Sequence, residues 1–186
     1  MLPSYPLTLS SASADGPALS NSTAATTIMP ASAIATIPAG ALQLGSLIKI
    51  TLTGRISTLA TTPGTLTLDL RFGAVVVSAF GAMTLNVNAQ TNAAWFAEFF
   101  AVIRAVGSGT AANALCTGRF ASRAVIGSAA VGAGGAGALI LPDTAPAVGT
   151  GFDSTLAQAV NVFATWSALS ASNSVQIHQA IVELKV

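Results

Sequence analysis

The chain has 186 residues, of which seven are Lys or Arg and six are Asp or Glu; charged residues thus make up 7%, against about 25% in ordinary soluble domains. A net charge of +1 with scattered basic residues leaves no electrostatic footprint for nucleic acid. Apolar residues reach 52%, yet their runs break on Thr, Ser or Gly far short of the ~20 residues of a spanning helix. Such a chain lacks the mixed charge that keeps isolated domains apart in water, which implies a surface covered by neighbours in an assembly.

Residues 1–24 contain Pro3, Pro6, Gly16 and Pro17 among many Ser and Ala, with no sustained period of 2 or 3.6. They read as an extended N-terminal arm or a disordered leader, and the arm is the expectation taken. Ordering it costs about 1–2 kcal/mol of backbone entropy per residue, so a partner surface is expected to hold it. The first residues lack the basic and apolar regions of a signal peptide, which gives the expectation of synthesis in a host cytoplasm. Residues 25–186 form a single domain of ordinary size.

Strand signals begin at Thr26-Thr27-Ile28-Met29-Pro30 and Ala35-Thr36-Ile37, both short and proline-bounded. From Ile48 the alternation is clean: Ile48, Ile50 and Leu52 share one face, and Lys49, Thr51, Thr53 and Arg55 the other. Thr61-Thr62-Pro63-Gly64 is a turn with Gly64 at a positive φ. Leu66, Leu68, Leu70 and Phe72 then face inward, opposite Thr65, Thr67, Asp69 and Arg71. The two strands are expected to form a hairpin, with Asp69 across from Lys49 or Arg55. Ala74–Val77 and Thr84–Ala89 are shorter strand segments.

The segment from Ala94 to Val106 is a long strand with two largely apolar faces. One carries Trp95, Ala97, Phe99, Ala101 and Ile103; the other carries Phe96, Glu98, Phe100, Val102 and Arg104. A strand of that kind is covered on both sides, here by a second sheet and by a neighbouring subunit. Asn113–Arg123 is a strand broken near Gly118. Residues 127–138 are a Gly/Ala/Ser loop, Leu139–Pro142 is a short edge strand, and Asp153–Ala157 is a helical turn or coil. Val160–Ser167 and Val175–Val186 complete the pattern, the last strand lying inside a sheet. No ten-residue helical pattern occurs. Eight to ten strands with Gly, Pro, Asn and Ser turns predict an all-β fold, an antiparallel β-sandwich that is jelly-roll-like.

Reactive chemistry is sparse. Cys116 and His178 are single representatives of their types. A Cys–His nucleophilic pair is open on spacing, but Cys116 reads as a small buried hydrophobe and His178 as a strand residue bonded to backbone or facing a subunit. Asp143 and Asp153 flank one loop and read as solvated acids rather than a calcium site. Gly132–Gly137 lacks the Gly-Lys-Ser/Thr ending of a phosphate loop. Trp95 and Trp166 read as core or interface rather than sugar platforms. No catalytic, cofactor-binding or metal-binding residue is assigned.

Several segments together resemble a known group. They are Ile37-Pro38-Ala39-Gly40, Leu44-Gly45, Ile48 to Arg55-Ile56-Ser57, Pro63-Gly64-Thr65-Leu66-Thr67-Leu68, Trp166-Ser167-Ala168, Ser172-Asn173-Ser174 and Ile177-His178-Gln179. The group is the small all-β virion proteins of tailed bacteriophages, encoded among head and tail genes. The likeness spans residues 26–186 and rests on general patterns. It implies a structural virion role and carries no active residues over. With the composition, it gives the expectation of a capsid decoration (cement) protein on the outer surface of a phage head. Its partners would be the major capsid protein and further copies of itself, as a homotrimer, with no nucleic acid and no membrane. Tyr5 and Leu7 in the arm, and Phe96, Phe100 and Val102, are the expected interface residues. A tail, collar or head-fibre component remains an alternative. So does a carbohydrate-binding jelly-roll receptor module, which predicts exposed aromatics in a groove beside acids or Asn. An enzyme ranks last.

Overall fold

The computed structural model describes residues 6–128, 132–133, 137–145 and 147–186. Its strands are β1 (Leu7–Ser11), β2 (Leu19–Ser20), β3 (Thr26–Thr27), β4 (Ala35–Ile37), β5 (Leu47–Thr58), β6 (Thr65–Phe72), β7 (Val75–Leu85), β8 (Gln90–Ala105), β9 (Asn113–Ala121), β10 (Val125–Ser128), β11 (Gly132–Ala133), β12 (Ala138–Leu141), β13 (Gln158–Trp166) and β14 (Ser174–Lys185). A 3₁₀ turn at Ala31–Ala33 is the only helical element among the described residues.

The strands form two antiparallel sheets. The first has the order β1-β14-β5-β8-β9-β12, with β2 also on β14; the second has the order β11-β10-β7-β6-β13-β3, with β4 also on β13. Strand pairs nest, β5 with β14, β6 with β13, β7 with β10 and β8 with β9. That nesting is the jelly-roll-like part of the sandwich. The middle strands β6 and β7 stay side by side as a hairpin instead of alternating between sheets.

Alternation in the sequence becomes alternation in burial. Ile48, Ile50, Leu52 and Ile56 of β5 face Leu66, Leu68, Leu70 and Phe72 of β6 across the core, all fully buried. Each such side chain contributes about 1.5–3 kcal/mol relative to exposure. Phe80 of the second sheet stacks on Phe99 of the first with ring centroids 4.3 Å apart. Trp95 stacks on Phe120 at 5.4 Å, and Phe72 meets Phe152 edge-on at 4.9 Å.

The expected hairpin between the Ile48 and Leu66 strands does not form. β5 pairs with β14 and β8, whereas β6 pairs with β7 and β13. Both strands carry one strongly apolar face. Stacking the sheets buries those two faces against each other. Residues 59–64 therefore cross from sheet to sheet, and buried Asn173 fixes the crossing. Its Oδ1 accepts from Leu59 N (2.8 Å) and its Nδ2 donates to Pro63 O (2.9 Å). The turn does place Gly64 at φ +76°. Asp69 consequently pairs with Arg71 on its own strand, at 3.3 Å, not with Lys49 or Arg55.

Other differences are local. β9 runs unbroken through Gly118, because a Cβ there would lie 2.6 Å from Glu98 O and from the Phe99 ring; glycine lets the ring pack against the strand. The two expected segments near residues 75 and 85 are one strand, β7, bent by two irregularities in its pairing with β6. β10 was not expected. Much of the predicted 127–138 loop lies outside the described residues. The arm from Pro6 onward lies on its own domain: β1 and β2 pair with β14, and Ala12 N and Gly16 N donate to Ala180 O and Ile177 O, each at 2.8 Å. The edge of β14 takes the place of the expected partner surface.

Replacing Asn173 with Ala leaves Leu59 N and Pro63 O without their buried partner. The expected loss is about 2–4 kcal/mol, read as a lower urea midpoint with an unchanged m-value. A wild-type midpoint would show that the crossing is held by other contacts.

Candidate functional site

The outward positions of β8 and its neighbours make one continuous surface. Phe96, Glu98, Phe100 and Val102 are half-buried there, while Trp95, Ala97, Phe99, Ala101 and Ile103 are buried in the core. The register sets out rows across the first sheet. Leu47, Val102, Leu115 and Val148 align as an apolar row. Next to it, Glu183, Lys49, Phe100 and Thr117 align, and then Ile181, Thr51, Glu98, Arg119 and Ile140. Ile140 is 69% exposed on the terminal strand β12.

Glu98 is the centre of an ion-pair cluster. Its Oε1 lies 2.8 Å from Lys49 Nζ and its Oε2 lies 3.2 Å from Arg119 Nη2, so one carboxylate ties β5 and β9 to β8. The hydrogen bond from Lys49 is the main reason that the Glu98 carboxyl is held below its ordinary range. Partial burial opposes this shift, and the charges of Lys49 and Arg119 reinforce it. The same bond raises the Lys49 ammonium. The two cations also lie over aromatic rings, Lys49 at 6.0 Å from the Phe100 centroid and Arg119 at 5.1 Å from that of Phe96. Aromatics capped by cations beside an apolar row form the mixture enriched at protein interfaces.

The structure thus brings Phe96, Phe100 and Val102 to one face. It does not bring Leu7 to them: Leu7 is 62% exposed on β1, with β14 and β5 between it and β8. Tyr5 lies outside the described residues. The Glu98 cluster escaped the sequence reading because the assumed β5–β6 hairpin gave Lys49 the wrong partner. Lys49, Glu98 and Arg119 at outward positions of three strands were the available signal.

The remaining candidates are dispersed. Cys116 faces the core on β9, and His178 is on β14 with β5 and β8 between them. His178 Nδ1 lies 2.9 Å from Asp15 Oδ1 in the arm, a side-chain partner in place of the backbone that was one of its two expected surroundings. Asp153 is engaged by Gly109 N, Thr155 N and Thr155 Oγ1, which hold its carboxyl below the usual value, the Thr155 hydroxyl most strongly. No group of three His, Cys, Asp or Glu suited to a metal ion occurs among the described residues. Both tryptophans are buried, with Trp166 Nε1 donating to Leu19 O at 3.1 Å. No protein-family model matches the chain, and no curated protein is significantly similar to it.

Two outcomes follow from these environments. Glu98 is lowered from 4.5, so its contribution to stability is complete above that value and is lost as pH falls through its folded pKa. Lys49 is raised from 10.5, so its contribution is complete below that value and is lost as pH rises through its folded pKa. In acid titrations followed by urea unfolding, the wild type should lose stability more steeply below pH 4.5 than Glu98→Gln; equal slopes would remove the cluster from the account. Burial pushes the Cys116 thiol up to about 12, against a weaker lowering by its hydrogen bond with Ser78. The native protein should therefore resist a thiol-specific disulfide reagent at pH 8 and react fully once unfolded.

Proposed function

We propose that this chain is a structural virion subunit, a decoration protein that braces the outer surface of a bacteriophage head through the outer face of its first sheet. The observation that carries the reading is that face itself. Phe96, Phe100 and Val102 stand half-exposed beside the apolar row of Leu47, Leu115 and Val148, and the three charges set among them, Lys49, Glu98 and Arg119, are paired with one another. A chain with 7% charged residues gains from covering such a surface. The sequence resemblance to phage virion proteins supports the same role. The ion pairs of Glu98 are already made within the subunit. A partner thus covers a satisfied network, without the penalty that lone charges impose on burial. Burial at about 25 cal/mol per Å² drives association, less the cost of lost freedom. The partners in this reading are the major capsid protein and two further copies of the chain.

Phe100→Asp places a charge in the middle of the face. It should abolish particle binding and self-association while leaving the β-sheet circular dichroism intact. An unchanged oligomer and full particle occupancy would remove this face from the interface. Cryo-electron microscopy of the particle tests the role as a whole: symmetric clusters over the capsid lattice fit decoration, whereas a few copies at the neck would make the chain a collar or tail component.

A further inference from the structure

Beside Phe96 the outer face of the first sheet sinks into a depression of about 500 Å³, lined among others by Thr53, Arg55, Phe96, Ala121, His178 and Gln179. The local sequence explains its shape. Ala94 and Ala121 put only methyl groups beside Arg55 and Phe96, and Gly54 contributes no side chain. On the other side, an irregularity between Ile177 and Gln179 adds His178 to β14, the device by which strands re-aim side chains. Asp15 then holds the imidazole from the arm side.

One cation here has no acidic partner among the described residues. Lys49, Arg71, Arg119 and His178 each have an acidic partner. Arg55 is exposed and has no acidic partner among the described residues; its register neighbours are Ala94 and Gln176. A second exposed cation, Arg123, follows Ser122, whose hydroxyl donates to Ala94 O at 2.9 Å. Arg55 thus offers its guanidinium to the depression, while the Asp15 carboxylate is turned to His178.

We propose that the depression binds an acidic sugar, a uronic- or sialic-acid-type unit of a surface glycan, with its carboxylate on Arg55. The guanidinium fork matches a carboxylate. Thr53 Oγ1 donates to Gln179 Oε1 at 3.4 Å, which leaves the Gln179 amide N–H groups to donate and the Thr53 oxygen to accept from sugar hydroxyls. Ala94, Ala121 and Phe96 supply apolar surface for the C–H side of the ring. The volume falls within the ~300–1,000 Å³ usual for small-ligand sites. An acidic peptide side chain would use Arg55 alone and leave the amide and hydroxyl unmatched, so a polyhydroxylated acid is the better fit. This inference is independent of the capsid role, since it needs only the free subunit.

The chain has two tryptophans, and only Trp95 lines the depression. Its indole carbons would lie 2.8 Å from a Cβ at Gly54, while Trp166 is bonded to Leu19 away from the depression. Two indole N–H signals in a ¹H–¹⁵N correlation spectrum therefore report on the site and on a control position. N-acetylneuraminic acid and galacturonic acid are titrated into the free protein, with galactose, acetate and an acetylated triglutamate amide as comparators. The expected result is a saturable shift of the Trp95 signal with an acidic sugar and none at Trp166. Arg55→Ala should weaken binding about tenfold or more, Gln179→Ala should weaken it as well, and Arg104→Ala should leave it unchanged. No shift with either acidic sugar would overturn the proposal. So would an equal response to acetate, which would mean a simple anion site, or tighter binding of the peptide, which would mean an acidic protein partner. Because no particle is present, a negative result here leaves the particle-binding test of the assembly role untouched.

Discussion

The architecture depends on a constraint at the 59–64 crossing. The strands on either side of it each carry an apolar face of four large side chains, and neither can leave that face in water. Turning the chain from one sheet to the other lets the two faces cover each other. Asn173, in the turn before the last strand, accepts and donates the two hydrogen bonds that make the crossing possible without unpaired backbone. The pairing of β5 with β8 and β14 follows, and with it the placing of Glu98 between Lys49 and Arg119.

That placing gives the outer face of the first sheet its character. Lys49, Glu98 and Arg119 are drawn into internal pairs beside aromatic rings, while Glu183 and Arg104 stand outward on the same face. Covering the middle of this face leaves those three charges with their partners. The end near Arg55 differs, because that guanidinium has no acidic partner among the described residues. It lies beside the Phe96 end of the face, so one surface combines a region suited to protein cover and one open to a small polar ligand.

Much of the fold was legible because its strands obey a period of two. Ile48–Leu52, Leu66–Phe72, Trp95–Ile103 and Val162–Trp166 all place the anticipated residues in the core. Strand partners were not legible, since alternation says which side of a strand is buried and not which strand lies beside it. The misplaced hairpin came from proximity in the chain, and it hid the Glu98 cluster. Gly118 misled for a related reason: glycine within a strand signals either a break or a close approach, and only the neighbouring Phe99 ring distinguishes them. The outward positions of Phe96, Phe100 and Val102 were legible, whereas the depression was not, because it depends on an extra residue in β14 and on small residues drawn from three other strands.

The arm has a consequence for the exposed side of β14. Without residues 7–20, that strand would present a row of unpaired amides and carbonyls along much of its length, a template on which strands of other molecules could add. β1 and β2 occupy those groups from within the chain, and Leu19 fills the adjoining core. For a chain short of repelling charge, two short strands in place of one long open edge leave less backbone on which other molecules could add.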